Sequence, residues 1–149
     1  MDQDTRIPPA ALILGWAGVI PFAGLALATI LGWNFLPVFP AGALTTYGAI
    51  ILSFLGGAQW GITVRAGEPE GAKTLRYAVA VLPALWGWFC LFLFAPYSLW
   101  SLAAGHLLLL GYDLSTVRSG IAPRWHGRLR IQLALAAALS LGAAALVSR

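Results

Sequence analysis

The sequence predicts an all-α membrane protein: a compact bundle of five transmembrane helices, with the N-terminus cytoplasmic and the C-terminus outside. Three observations lead there, namely a scarcity of charge, five apolar segments of spanning length, and a one-sided distribution of basic residues. Of 149 residues 60% are apolar and only 9% are charged, and the mean hydropathy is +0.82. Soluble domains carry about 25% charged residues. A soluble fold could not cover its surface with so few, which excludes an ordinary cytosolic enzyme.

A helix rising about 1.5 Å per residue needs about 20 largely apolar residues to cross the hydrocarbon core. Residues 9–31 supply the first span. They follow an acidic start, Met1-Asp2-Gln3-Asp4-Thr5-Arg6, whereas a cleaved signal peptide opens with a basic region and a short apolar core, so this span is expected to be retained. Residues 44–64, 76–94, 98–117 and 129–147 supply the other four. The connections, 32–43, 65–75, 95–97 and 118–128, are short enough to force consecutive helices antiparallel in a single domain over 1–149. An odd number of spans without an internal repeat argues against a complete inverted-repeat transporter.

The basic residues orient the bundle. Arg6, Arg65, Lys73, Arg76, Arg118, Arg124, Arg128 and Arg130 all fall on the side holding the N-terminus and the second and fourth connections, and only Arg149 falls on the other. Cytoplasmic loops retain Lys and Arg, so that side is expected to be cytoplasmic. The preference for arginine over the lone Lys73, with abundant Ala, Leu and Gly, points to a GC-rich bacterial genome. Cys90 is the only cysteine, which leaves no disulfide scaffold and no thiolate metal site.

Aromatic residues mark both interfaces: Trp33, Phe35, Phe39, Tyr97 and Trp100 on the uncharged side, and Trp60, Tyr77, Tyr112 and Trp125 on the basic side. They read as interfacial belts, with a quinone or pigment site as the alternative. Helices in lipid approach closely through small residues. In the second span Ala49, Ser53, Gly57 and Gly61 recur every four residues, with Gly56 beside them, and this stripe is expected to face the bundle interior. Gly24, Ala28 and Gly32 form a similar row in the first span, and Ala134, Ala138 and Gly142 in the fifth. An outward stripe docking a partner subunit or a second copy is the alternative. Pro21 and Pro83 are expected to kink their helices, either for packing or as a hinge.

Few polar groups within the spans could carry chemistry. Asp113 is the only acid in a span and lies about one turn from the basic end of the fourth helix, with Gln59 at similar depth on the second. Both approach a layer of Arg65, Arg76, Arg118, Arg124 and Arg128. Asp113 is expected to pair with one of these arginines, and proton or cation handling is the alternative. His106 lies seven residues before Asp113, on nearly the same helix face, and reads as a hydrogen-bonded neutral ring or as part of a relay with Asp113. Haem ligation lacks a second histidine at its depth, since His126 lies in the basic loop. No metal-binding, phosphate-loop or Ser-His-Asp pattern appears, so no cofactor, metal or catalytic residue is assigned.

Two segments carry a resemblance. Residues 47–61, from Tyr47-Gly48-Ala49 through Leu52-Ser53-Phe54-Leu55-Gly56-Gly57 to Trp60-Gly61, resemble a YGAxxLSFLGGxxWG signature. Residues 122–130, Ala122-Pro123-Arg124-Trp125-His126-Gly127-Arg128-Leu129-Arg130, resemble an APxWYxxLR signature in which His126 stands where tyrosine is expected. Both belong to a family of small bacterial membrane proteins carrying a domain of unknown function, with transmembrane protein 69 as a mitochondrial relative. The resemblance covers most of the chain and implies a polytopic inner-membrane protein without an established activity or cofactor. Physically, in the second signature Pro123 opens a turn and Arg128 and Arg130 start the fifth helix at the headgroups, with Trp60, Trp125, His126 and Arg128 as interface anchors.

Two function classes follow. One is a non-enzymatic accessory or assembly protein, binding lipid, another integral membrane protein or a second copy through its small-residue faces and basic rim, with no role for nucleic acid. The other is a small transporter or proton-coupled carrier using His106, Asp113 and Gln59. An enzyme ranks third, because acid–base work needs partners that a single intramembrane acid does not have.

Overall fold

The computed structural model describes residues 6–33, 39–67 and 69–148, and among them all regular structure is helical. The five helices are α1 (Pro9–Ile30), α2 (Pro40–Arg65), α3 (Glu70–Cys90), α4 (Tyr97–Arg118) and α5 (Arg124–Val147). The expected contributions of Phe35 and Arg149 lie outside the described residues. Proline sets every helix start: Pro9 and Pro40 open α1 and α2, and Pro69, Pro96 and Pro123 immediately precede α3, α4 and α5. Its fixed φ suits a first turn, where its missing N–H is not needed. Glycine ends two of them. Gly32 at φ +66 and Gly120 at φ +73 follow α1 and α4, and Trp33 and Ile121 donate back to Ala28 O at 2.9 Å and Thr116 O at 3.0 Å. Both are Schellman closures that satisfy terminal carbonyls.

These signals shift the expected boundaries. α2 begins four residues before 44, α3 six before 76 and α5 five before 129, because each helix runs back to its proline rather than to its first apolar residue. Lys73, Arg124 and Arg128 consequently lie on helices, not in loops. By length and apolarity α1, α2 and α5 qualify to cross a membrane. α3 and α4 are 21 and 22 residues long, but α3 enters through Glu70, Lys73 and Arg76, and α4 carries His106 and Asp113.

Contacts between elements fix the topology. Gly56 lies against Ala80 and Pro83, and Gly87 against Ala49, so α2 and α3 run antiparallel. α4 and α5 are antiparallel as well, with Gly127 against Val117 at one end and Gly142 against Trp100 at the other. α2 and α4 lie parallel, joined by Thr45 to Ser98 at 3.1 Å, Gly48 O to His106 Nε2 at 3.2 Å, and Gln59 to Asp113. α1 closes the ring by packing on α5 and α2. Phe22, Leu44, Leu52, Leu99, Leu102 and Leu141 fill the centre. Hydroxyls within helices return to the carbonyl four residues back, as in Thr63 to Gln59 O at 2.9 Å and Ser140 to Ala136 O at 2.8 Å. That removes their need for water in apolar surroundings.

The small-residue stripe of α2 is corrected. Ala49 is buried and Ser53 half-buried, but Gly57 and Gly61 are exposed, and a Cβ built at either would meet nothing within 4 Å. Four residues turn an α-helix through about 400°, so a four-residue row winds about 40° per step and leaves the interior before it reaches Gly61. The buried face instead follows Thr45, Gly48, Ala49, Leu52, Gly56, Gln59 and Thr63. Gly24 of α1 and Gly32 just beyond it are also exposed, whereas Ala134 and Gly142 of α5 are buried. Of the two adjacent glycines, only Gly56 is a contact residue: a Cβ there would lie 2.5 Å from Ala80 O.

That contrast is testable. Gly56→Ala is expected to destabilise the bundle by about 1–3 kcal/mol through overpacking against rigid backbone, while Gly57→Ala leaves stability unchanged or slightly raised. Thermal melting of both variants in the same detergent checks the difference, and equal melting curves would contradict the packing.

Candidate functional site

The polar residues gather at the end of the bundle where α2 and α4 finish and α5 begins. Asp113, 2% exposed, is the centre. Gln59 Nε2 donates to its Oδ1, and Arg130 Nε donates to Oδ2 at 2.5 Å. Thr116 donates to the Asp113 backbone oxygen at 2.7 Å, and Thr63 to that of Gln59 at 2.9 Å. One carboxylate thus ties three helices together. Arg130 is itself only 5% exposed, and its Nη2, like Nε2 of the half-buried His126 one turn earlier, has no hydrogen-bond partner.

The arginine that meets Asp113 is therefore none of the five in the expected layer. Arg65, Arg118 and Arg124 are exposed, and Arg76 and Arg128 keep interactions of their own. The sequence places Arg130 at the headgroup level, at the start of a fifth helix expected over 129–147. Beginning α5 at Arg124 instead carries it two turns inward, to the head of the buried row Arg130, Ala134, Ala137, Leu141, Ala144. That alternating spacing of four and three, with small residues below the arginine, is the signal in the sequence that marks an inward-facing cation.

His106 is separate from this cluster. It is 1% exposed, bonds Gly48 O, and meets the Phe22 ring edge-on at a centroid distance of 5.6 Å. Seven residues of helix, about 10 Å of rise, separate it from Asp113, and each side chain is held by a different level of α2. Among the anchors, Trp60 is exposed and its ring lies 4.6 Å from Tyr77, while Trp125 meets His126 edge-on at 5.9 Å. Among the described residues no group of three or more His, Cys, Asp or Glu could hold a metal ion.

Two of the larger cavities among the described residues lie at the surface. An apolar groove of about 570 Å³ runs between α3 and α4, walled by Pro83, Trp86, Phe89, Gly105 and Leu109, and the indole N–H of Trp86 is already bonded to Ser101 O at 2.9 Å. A more polar cleft of about 460 Å³ lies between the end of α2 and the α4–α5 turn. His106 and Asp113 line neither.

Removing one partner of a buried ion pair leaves an uncompensated charge and costs about 3–5 kcal/mol. Asp113→Ala and Arg130→Met are each expected to lose that much stability. The double variant should recover part of the loss, a coupling that a double-mutant cycle on detergent melting measures. Strictly additive losses would show that the pair does not act as a unit.

Comparison with known proteins places the chain. The family described as "Protein of unknown function (DUF3429)" matches residues 7–146. Transmembrane protein 69 of Xenopus tropicalis is 33% identical over 140 residues, covering 90% of this chain and 53% of that protein. Transmembrane protein 69 of Mus musculus is 33% identical over 81 residues, covering 54% of this chain and 33% of its own length. The chain thus spans about half or less of the relatives it matches. No solved structure matches it. With both signature segments inside a match that runs from α1 to α5, this chain belongs to the DUF3429 family.

Proposed function

We propose that the chain is a five-span protein of the bacterial inner membrane, with its N-terminus cytoplasmic and its C-terminus outside. On this reading it acts as a non-enzymatic accessory or assembly protein, through contacts with lipid or with another membrane protein. The antiparallel order of the helices and the one-sided arginines support the topology. Relatives named as transmembrane proteins support the membrane location.

The observation that carries the accessory reading is the state of the intramembrane polar groups. Asp113, Gln59 and His106 are each bonded to a neighbouring helix, and neither principal cavity reaches them. An ion or proton pathway needs such groups lining a water-filled route. The surfaces left open are outward ones: the Gly57 and Gly61 face of α2, the apolar groove and the arginine rim. These suit contact with other helices or headgroups.

Reporter fusions test the topology. A cytoplasm-dependent reporter after Arg149 should be silent and one inserted in the 65–75 connection active, and the reverse would overturn the orientation. Extraction in gentle detergent should retain a membrane protein or phospholipid in fixed ratio to the chain, and this retention should survive Asp113→Asn if the fold does. Proteoliposome uptake lost on Asp113→Asn would replace the accessory reading with a proton-coupled carrier.

A further inference from the structure

We propose that the cleft between the end of α2 and the α4–α5 turn is a headgroup site for an anionic phospholipid, with the phosphate against Arg65. Ile62, Arg65, Ala66 and Gly67 form one wall, and Gly120, Ile121, Ala122 and Pro123 the other. The proposal rests on the reading that these helix ends lie at the level of the cytoplasmic headgroups.

Charge is the first argument. Arg65 lines the cleft, and Arg118 and Arg124 flank the segment that forms its second wall. All three are exposed, and among the described residues no ion pair engages them: Glu70 lies 3.5 Å from Lys73, and Asp113 is held by Arg130 and Gln59.

Size and lining are the second. The cleft holds about 460 Å³, many times the ~30 Å³ that one water occupies in the liquid, so a lone inorganic anion would leave most of it wet. Its lining sets Ile62, Ile121, Ala122 and Pro123 beside Arg65. Apolar side chains next to a cation suit a glycerophosphate head whose glycerol continues into acyl chains. A carboxylate on a protein partner would match the charge as well, and phospholipid is favoured because these helix ends are read as lying at the headgroup level.

The test uses the full chain, purified in a neutral detergent and titrated with short-chain phosphatidylglycerol while retained lipid is counted by native mass spectrometry. One phosphatidylglycerol should bind in preference to phosphatidylcholine. Arg65→Gln should weaken binding about fivefold, the effect of one arginine near an anionic surface. Gly67→Leu should abolish it by filling the cleft, since a Cβ at Gly67 would meet nothing within 4 Å and the fold has room for it. Equal binding of the two lipids, unchanged binding by Gly67→Leu, or displacement by equimolar inorganic phosphate would each overturn the proposal. The titration reads the cleft directly, so its failure is distinct from a reversed reporter pattern or from the absence of a copurifying protein.

Discussion

A single carboxylate at the depth of apolar helices constrains the whole inner half of this bundle. Asp113 can neither face lipid nor stay without donors, because hydrocarbon offers no hydrogen bonds and an isolated buried charge is costly. Its two oxygens draw on two different helices, Gln59 of α2 and Arg130 of α5. The pairing therefore sets the rotation of three helices at once. The contribution is geometric more than energetic, since buried ion pairs often do no better than well-packed apolar groups.

The same logic repeats at other levels of the α2–α4 seam. Thr45 meets Ser98 near one end and His106 meets Gly48 O midway, so polar ties at three heights hold two parallel helices that no short connection joins. On the opposite flank of α2 the device is different. Gly56 and Gly87 let the backbones of α2 and α3 approach until a Cβ at either position would meet a carbonyl oxygen within 3 Å. Lipid supplies little drive for helices to associate, so hydrogen bonds on one side and close backbone contact on the other together position α2 as the centre of the ring.

The helix count and order were legible in the sequence because apolar runs of spanning length are bounded by short polar segments. Their limits were less so: Pro40, Pro69 and Pro123 start helices in stretches whose first residues are polar or small, and hydropathy alone passes over such turns. The pairing of Gln59 with Asp113 follows from equal depth. Arg130 was obscured by the late placement of α5, which put it at the headgroups. The small-residue row misled through arithmetic, since a strict four-residue repeat on a 3.6-residue helix cannot keep to one face. Gly57 and Gly61 illustrate this, facing outward while Gly56 packs.

The contrast among the arginines shows how position decides role for one residue type. Arg130, two turns inside α5, is an internal cation matched to an internal anion. Arg65, Arg118 and Arg124 sit at helix ends, exposed and, among the described residues, without an ion-pair partner. Internal charge balance thus leaves exposed positive charge at one rim, where on the proposed topology anionic headgroups would attract it. A bundle with its polar interior satisfied and its charge displaced to the rim can recognise other molecules from its outer surface. On the proposed accessory reading, function is to be sought on the rim and the outward helix faces of this chain, with the buried cluster as the element that holds those faces in place.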